Sequence, residues 1–218
     1  MSKVLLIGNG PSALEQGELG SRIDSNEFDK VVRFNRWKFD NDGSEHKTFN
    51  SLAKYVGTRC DIWVVNDLHM QKPPGGCSML GFEKKDLYEM TLVVTPNFKW
   101  DSNFEKDVTN IHNNIPNIRF IDPSFENNIN KIVDFRPQWP STGTVAIAFF
   151  SVNFDEVYLH GFDCYDFKYD ALHYFEDKDQ VLGKNNFKTK KDKSDHTPDK
   201  DKEFIKYVIK NKNVKILK

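Results

Sequence analysis

The first dozen residues constrain this chain more than any other stretch. A short apolar run, Lys3-Val-Leu-Leu-Ile7, stops abruptly at Gly8-Asn-Gly-Pro-Ser12, and a polar, helix-compatible segment follows. The pattern reads as a buried strand that ends in a tight turn beneath the N-terminus of a helix. Gly8 and Gly10 allow the backbone to turn sharply and to come close to a ligand. Pro11 suits the first helical position, where no hydrogen-bond donor is lost. Free N–H groups in such a turn favour an anion, typically a phosphate. Taken alone, the same turn serves equally well as a plain strand-to-helix connection with no ligand.

The pattern recurs along the chain. Further strands are expected at Val31–Asn35, Cys60–Asn66, Thr91–Thr95, Ile118–Ile121, Glu156–His160 and Asn213–Leu217. Residues 12–21 read as a short helix or loop, and helices are expected over 102–114, 124–133, 142–152 and 201–210. The stretches 38–51 and 70–78 are polar or rich in Pro and Gly, hence loops. Residues 163–200 hold many Lys and Asp with little apolar periodicity, and read as a mobile loop or lid. Alternating strands and helices argue for an α/β fold with a mostly parallel, doubly wound sheet. Ligands of such sheets sit beyond the carboxyl ends of the strands, where strand order reverses. Asn9, Asn35 and Asn66 each close a predicted strand. A carboxamide both donates and accepts, so three at one edge form a candidate rim for reading a base and ribose. Each is also an ordinary turn former.

At 218 residues, with 38% apolar and 13% aromatic content including 18 Phe, the chain suffices for one sizeable core. We read 1–218 as a single domain. A net charge of −1 provides no global field to draw in nucleic acid or a membrane, so such a partner needs a local patch. Cys60, Cys77 and Cys164 are odd in number and lack Cys-x-x-Cys spacing, against a disulfide framework or a zinc cluster. No apolar run approaches the ~20 residues of a membrane span, and no signal-peptide pattern opens the sequence. These features lead us to expect a soluble, cytoplasmic protein, of a bacterium or of a phage in its host.

Four segments together resemble the sialyltransferases, chiefly glycosyltransferase family 29 and more loosely the bacterial family 42. Residues 4–36 are similar to the family's large motif, with the Gly-Asn turn, a Gly-x-x-Ile-Asp segment (Gly20 to Asp24) and an Arg-x-Asn ending at Asn35. Pro140-Ser-Thr-Gly-Thr-Val-Ala-Ile-Ala148 with Asp155-Glu-Val-Tyr-Leu-His-Gly-Phe162 resembles the small motif. His173-Tyr-Phe-Glu176 resembles the third motif, and His196 with acidic residues downstream the very small motif. The resemblance implies a Rossmann-like GT-A variant, a nucleotide-sugar donor, most typically CMP-sialic acid, and single displacement with inversion at the anomeric carbon. By position it implies that Asn9 and Asn35 contact the nucleotide and its phosphate, and that Asn66, which follows a Gly-x-x-Cys pattern similar to one in family 42, faces the nucleotide. Gly8, Gly10 and Ser12 of the turn are donor-binding candidates beside them. Ser141, Thr142 and Gly143 then hold the sugar or phosphate at a helix N-terminus. His173 hydrogen-bonds the departing phosphate, and His196 is the base that deprotonates the acceptor hydroxyl.

The chemistry stands without the label. Sugar transfer needs a base of near-neutral pKa, which histidine supplies. The leaving phosphate needs donors, which a helix N-terminus and an imidazole provide without metal. A solvated His196 and a packed or capping His173 are the plain alternatives, and His46, His69, His112 and His160 carry no such context. Three departures from the family patterns stand out. No cysteine precedes Gly8. Trp139 stands where family 42 carries an arginine, with Arg136 nearby. Asp201 occupies the offset from His196 at which the very small motif has Glu, with Glu203 two further on, so either acid is a candidate partner of His196.

Asp-x-Asp pairs at Asp40/Asp42, Asp177/Asp179 and Asp199/Asp201 lie in polar, acidic stretches, so we expect no metal and no required cofactor beyond the donor. Gly161-Phe-Asp-Cys-Tyr165 lacks nucleophile-elbow spacing. The run Lys184–Lys193 is basic. It reads as a solvated lid or, through Lys184, Lys188, Lys190 and Lys191, as a patch for a polyanionic acceptor. The first expectation is therefore transfer from a CMP-sugar to a glycan hydroxyl. The alternatives are a phage-type enzyme adding a sugar, for example a pentose from a UDP-sugar, to hydroxymethylated bases in DNA, and a non-catalytic nucleotide-binding module.

Overall fold

The computed structural model describes residues 1–35, 37, 52–66, 88–95, 117–164 and 197–218. Seven parallel strands form one sheet: β1 (Lys3–Ile7), β2 (Lys30–Phe34), β3 (Ile62–Asn66), β4 (Met90–Val94), β5 (Ile118–Phe120), β6 (Glu156–His160) and β7 (Val214–Ile216). Their order across the sheet is β5-β4-β3-β2-β1-β6-β7. The chain moves outward from β1 to β5, then returns to lay β6 against the other side of β1. The order therefore reverses between β1 and β6, and a crevice opens there at the strands' carboxyl ends. This is the expected α/β, mostly parallel architecture, and among the described strands the pairing is parallel throughout.

Both faces of the sheet are covered, which is why the strands read as nearly continuous apolar runs rather than as alternating ones. On one face Val4, Leu6, Val32, Phe34, Val64 and Leu92 pack under α3 (Ser124–Asn130), α4 (Thr142–Asn153) and α5 (Pro198–Asn211). On the other, Leu5, Ile7 and Val31 meet Ala13, Ile23 and Val56 from a 3-10 turn (Pro11–Leu14), α1 (Gly20–Ile23) and α2 (Ala53–Val56), with Phe28 from the turn before β2. Trp63, Val65 and Val93 continue that face with Trp37, Cys60 and Tyr88.

Helix α4 has no polar stripe: Val145, Ala146, Ile147, Ala148 and Phe150 are all buried. It touches β3, β4 and β6, with α5 laid over it. Packing encloses its middle from Thr144 to Phe150, while Val152 and Asn153 at its C-terminal end are exposed. Helix α5 is amphipathic, burying Phe204, Ile205 and Val208. It begins at Pro198, earlier than the expected Asp201, because Pro suits the first turn and Asp199 and Asp201 favour its positive end. The segment 12–21 divides into the 3-10 turn and the start of α1. The expected helix over 102–114, the loops 38–51 and 70–78, and most of the expected lid lie outside the described residues.

Much of the Gly-x-x-Ile-Asp segment acts inside the fold. A side chain on Gly20 would collide with the carbonyl of Ala53, so its absence lets α1 and α2 touch. Ile23 is fully buried. Asp24 accepts the backbone N–H groups of Thr58 and Arg59, each at 2.8 Å, and so ties α1 to the entry of β3.

Candidate active site

At the switch point the turn after β1 and the turn after β6 interlock. Gly8 N–H donates to the His160 carbonyl at 2.7 Å and Gly10 N–H to the Gly161 carbonyl at 2.8 Å. Gly161 has φ +69°, a left-handed conformation that favours glycine. A Cβ on Gly8 would strike the Gly161 carbonyl, so the two turns approach only as glycines. Asp163 follows, and its Oδ2 accepts the Ser12 backbone N–H at 2.8 Å. A Cβ on Gly10 would occupy the place of that carboxylate. The chain's own anion thus fills the Ser12 end of the turn, where the sequence led us to expect a ligand's phosphate.

The three asparagines lie side by side at the carboxyl ends of β1, β2 and β3. Asn9 Nδ2 donates to the Phe34 carbonyl at 3.1 Å. Asn35 sits in the left-handed region (φ 44°), which asparagine tolerates better than most residues. Its Oδ1 accepts the Asn66 backbone N–H at 3.0 Å, and its carbonyl accepts Trp63 Nε1–H at 2.8 Å. All three asparagines are half-buried, and the Asn9 and Asn35 side chains are each braced by the end of a neighbouring strand.

The N-terminus of α4 completes the arrangement. Ser141 is its N-cap, and the Ser141 Oγ accepts the Thr144 N–H at 3.3 Å. Val145 N–H donates to the Ser141 carbonyl. Thr142 and Gly143, in the first turn, carry N–H groups that have no intrahelical acceptor, and the helix dipole adds positive potential there. The Phe162 ring joins this terminus to the glycine turn. It lies 3.0 Å from where a Gly143 Cβ would stand and 3.1 Å from where a Gly8 Cβ would stand, and packs edge-on against Phe34 at 5.5 Å. Gly8, Asn9, Gly10, Ser12, Asn35 and Asn66 therefore lie along the carboxyl edge of β1, β2 and β3, and Phe162 brings the α4 terminus of Ser141, Thr142 and Gly143 beside the glycine turn. His173, His196, Lys184, Lys188, Lys190 and Lys191 lie outside the described residues.

Of the two acids considered as partners of His196, Asp201 is buried and turned toward Ser141 and Thr144, whereas Glu203 is exposed. Arg136 is also exposed, forked onto Asp134 at 2.7 and 3.0 Å. His160 is buried beneath the crevice with Nδ1 2.6 Å from Gln16 Oε1. Burial pushes its pKa down to about 4, the nearby Arg33 charge adds to this, and a hydrogen bond with the Tyr55 backbone opposes it. A neutral core histidine results, in line with the plain reading of its sequence context. Arg33 is fully buried and donates to the Arg59, Val56 and Gly57 carbonyls, bracing β2 just ahead of Asn35. Among the described residues no three His, Cys, Asp or Glu side chains converge as metal ligands.

Sequence reasoning missed Phe162 and Asp163. The signal was available: both directly follow the strand that pairs with β1 across the switch point.

The model of glycosyltransferase family 29 (sialyltransferase) matches residues 3–213. This chain belongs to glycosyltransferase family 29. Its fold is shared with solved sialyltransferases. CstII from Campylobacter jejuni in complex with the substrate analogue CMP-3FNeuAc superposes with a TM-score of 0.55 at 20% identity, covering 100% of this chain and 81% of that one. The monofunctional alpha-2,3-sialyltransferase Cst-I from the same organism gives 0.57 at 18% identity, covering 100% and 76%. A CST-II structure with trisaccharide acceptor and CMP gives 0.55 at 18% identity, covering 99% and 81%. No curated protein matches by sequence. As a family 29 member the chain is a sialyltransferase-like glycosyltransferase, and no described helix is long and apolar enough to cross a membrane.

Proposed function

We propose that this family 29 enzyme transfers a sugar from a CMP-sugar, sialic acid first, to a hydroxyl of a glycan acceptor, with inversion and without a metal. One observation carries the reading: the glycine turn, the asparagine rim and the N-terminus of α4 converge on one crevice at the switch point. The chemistry of the walls divides the donor between them. The carboxamides of Asn9, Asn35 and Asn66 suit a base and ribose, which need both donors and acceptors. The first turn of α4 suits the phosphate, because its N–H groups and dipole stabilise negative charge. With Asp163 seated at Ser12, the glycine turn favours neutral hydroxyls over a second anion.

In the reaction the acceptor oxygen attacks the anomeric carbon as the bond from that carbon to the phosphate oxygen breaks. The acceptor proton passes to the His196 imidazole, and His173 donates to the departing phosphate. Charge builds on that phosphate, where the N–H groups of Thr142 and Gly143 are aimed, so the helix end binds the transition state more strongly than the ground state. The choice of a CMP-sugar donor is supported by the family match and by neighbours solved with CMP and a CMP-sugar analogue. The DNA-directed alternative leans on the Lys184–Lys193 run alone, and no described residue favours it.

Calorimetric titration with CMP, CDP, UMP, UDP and GDP, with and without EDTA, tests the donor. Preference for CMP, unchanged by EDTA, is expected, followed by turnover of CMP-sialic acid with a glycan acceptor. Preference for a nucleoside diphosphate would overturn the donor assignment.

A further inference from the structure

Asp201 belongs to α5 but serves α4. Its carboxylate is 1% exposed, and its Oδ1 accepts three donors: Thr144 Oγ1–H at 2.5 Å, Ser141 Oγ–H at 3.0 Å and Ser141 N–H at 3.2 Å. An acid in the first turn of a helix ordinarily favours its own N-terminus. Here the carboxylate is carried inward, across the helix pair, onto the N-cap of another helix. Burying a carboxylate is costly unless it is well paired, and the three donors come from the two residues that define the start of α4. The Ser141 hydroxyl donates to Asp201 and accepts from Thr144 N–H, so it is engaged within the cap. Thr142 and Gly143 are held between these two anchored residues.

We propose that Asp201 is a positioning residue for the donor. It fixes the first turn of α4 in the pose that presents the Thr142 and Gly143 N–H groups to phosphate. It also pins the start of α5, which begins just after His196 in sequence, to the same turn. One carboxylate thereby ties the start of α5 to the phosphate subsite. Glu203, exposed on the outer side of α5, has no access to this role. The inference rests on the donor reading above.

The test compares wild type, Asp201→Asn, Asp201→Ala and Thr144→Val in two measurements: CMP affinity by calorimetry, and hydrogen–deuterium exchange at the Thr144 and Val145 amides. Asp201→Ala is expected to weaken CMP binding roughly 10-fold or more and to accelerate exchange at both amides. Asp201→Asn, which keeps an acceptor oxygen, is expected to stay within about threefold of wild type, and Thr144→Val to fall between. A purely structural role would lower the melting temperature of Asp201→Ala but leave the CMP affinity of the folded protein unchanged, and that result would overturn the proposal. If Asp201→Ala does not fold, Thr144→Val decides, with unchanged affinity and exchange again overturning it. Failure of wild type to bind CMP would instead remove the donor reading. The exchange data then judge the clamp alone, and wild-type exchange in the variants would sink it.

Discussion

Asp163 and Ser12, distant in sequence, meet where the turns after β6 and β1 interlock: the carboxylate Oδ2 accepts the backbone N–H at 2.8 Å. The contact depends on Gly10, whose missing side chain leaves room for the carboxylate. It turns a nominal anion-binding loop into one already carrying negative charge. In the proposed donor site this leaves the phosphate to the first turn of α4, which shares the Phe162 ring with the same loop.

Removing this carboxylate leaves the Ser12 N–H without its acceptor. Asp163→Ala is expected to cost about 1–3 kcal/mol of stability, the range for an unsatisfied, partly buried backbone donor. Gly10→Ala should be at least as harmful, because the new methyl needs the same space. Urea unfolding measures both, and an unshifted midpoint in either would count against the interlock.

Asn35 separates backbone strain from recognition. Its φ of 44° costs an alanine about 1–2 kcal/mol, and Asn35→Ala also leaves the Asn66 N–H without its Asn35 acceptor. Glycine relieves the first effect but not the second. Asn35→Gly should therefore unfold at higher urea than Asn35→Ala while losing nucleotide affinity to a similar degree. Unchanged CMP affinity in both would remove Asn35 from the donor site.

The strands, their parallel sense and the asparagine rim were legible because each depends on local signals: an apolar run, then a polar or glycine stop. The rim became a site only through strand order, which places β1, β2 and β3 side by side. The roles of Asp163 and Asp201 were not legible. Each acts on a partner brought near by tertiary packing, Ser12 and Ser141 respectively, and a carboxylate in a polar stretch carries no sign of such a partner. The sequence likewise showed Arg33 and Asp24 only as motif letters, whereas the fold uses both to bind backbone groups around 56–59.

His160 makes stability depend on pH. Its folded pKa lies near 4, below the ordinary 6.5, so the folded protein keeps it neutral while the unfolded chain takes up a proton below about 6.5. Its contribution is complete above that value and is lost as pH falls toward 4. The loss by pH 4.5 is about 2–3 kcal/mol, at ~1.4 kcal/mol per pH unit. Unfolding free energies at pH 7 and 4.5 for wild type and His160→Gln measure it. The variant should be less stable at pH 7 and show the smaller change. An equal change in both would mean that His160 titrates normally in the fold.

His196→Ala tests the chemistry apart from the scaffold. A general base contributes about 10²–10⁴-fold to such a step, so kcat with CMP-sialic acid should fall by that factor. In the proposed site the donor is held by Asn35, Asn66 and the start of α4, so CMP affinity should remain within a few-fold of wild type. The loss should be greatest at pH values where the wild-type imidazole is neutral, and the low-pH limb of the wild-type profile should flatten in the variant. Near-normal turnover would assign the proton to another group. A parallel collapse of CMP binding would instead mean that His196 builds the donor site rather than acting on the acceptor.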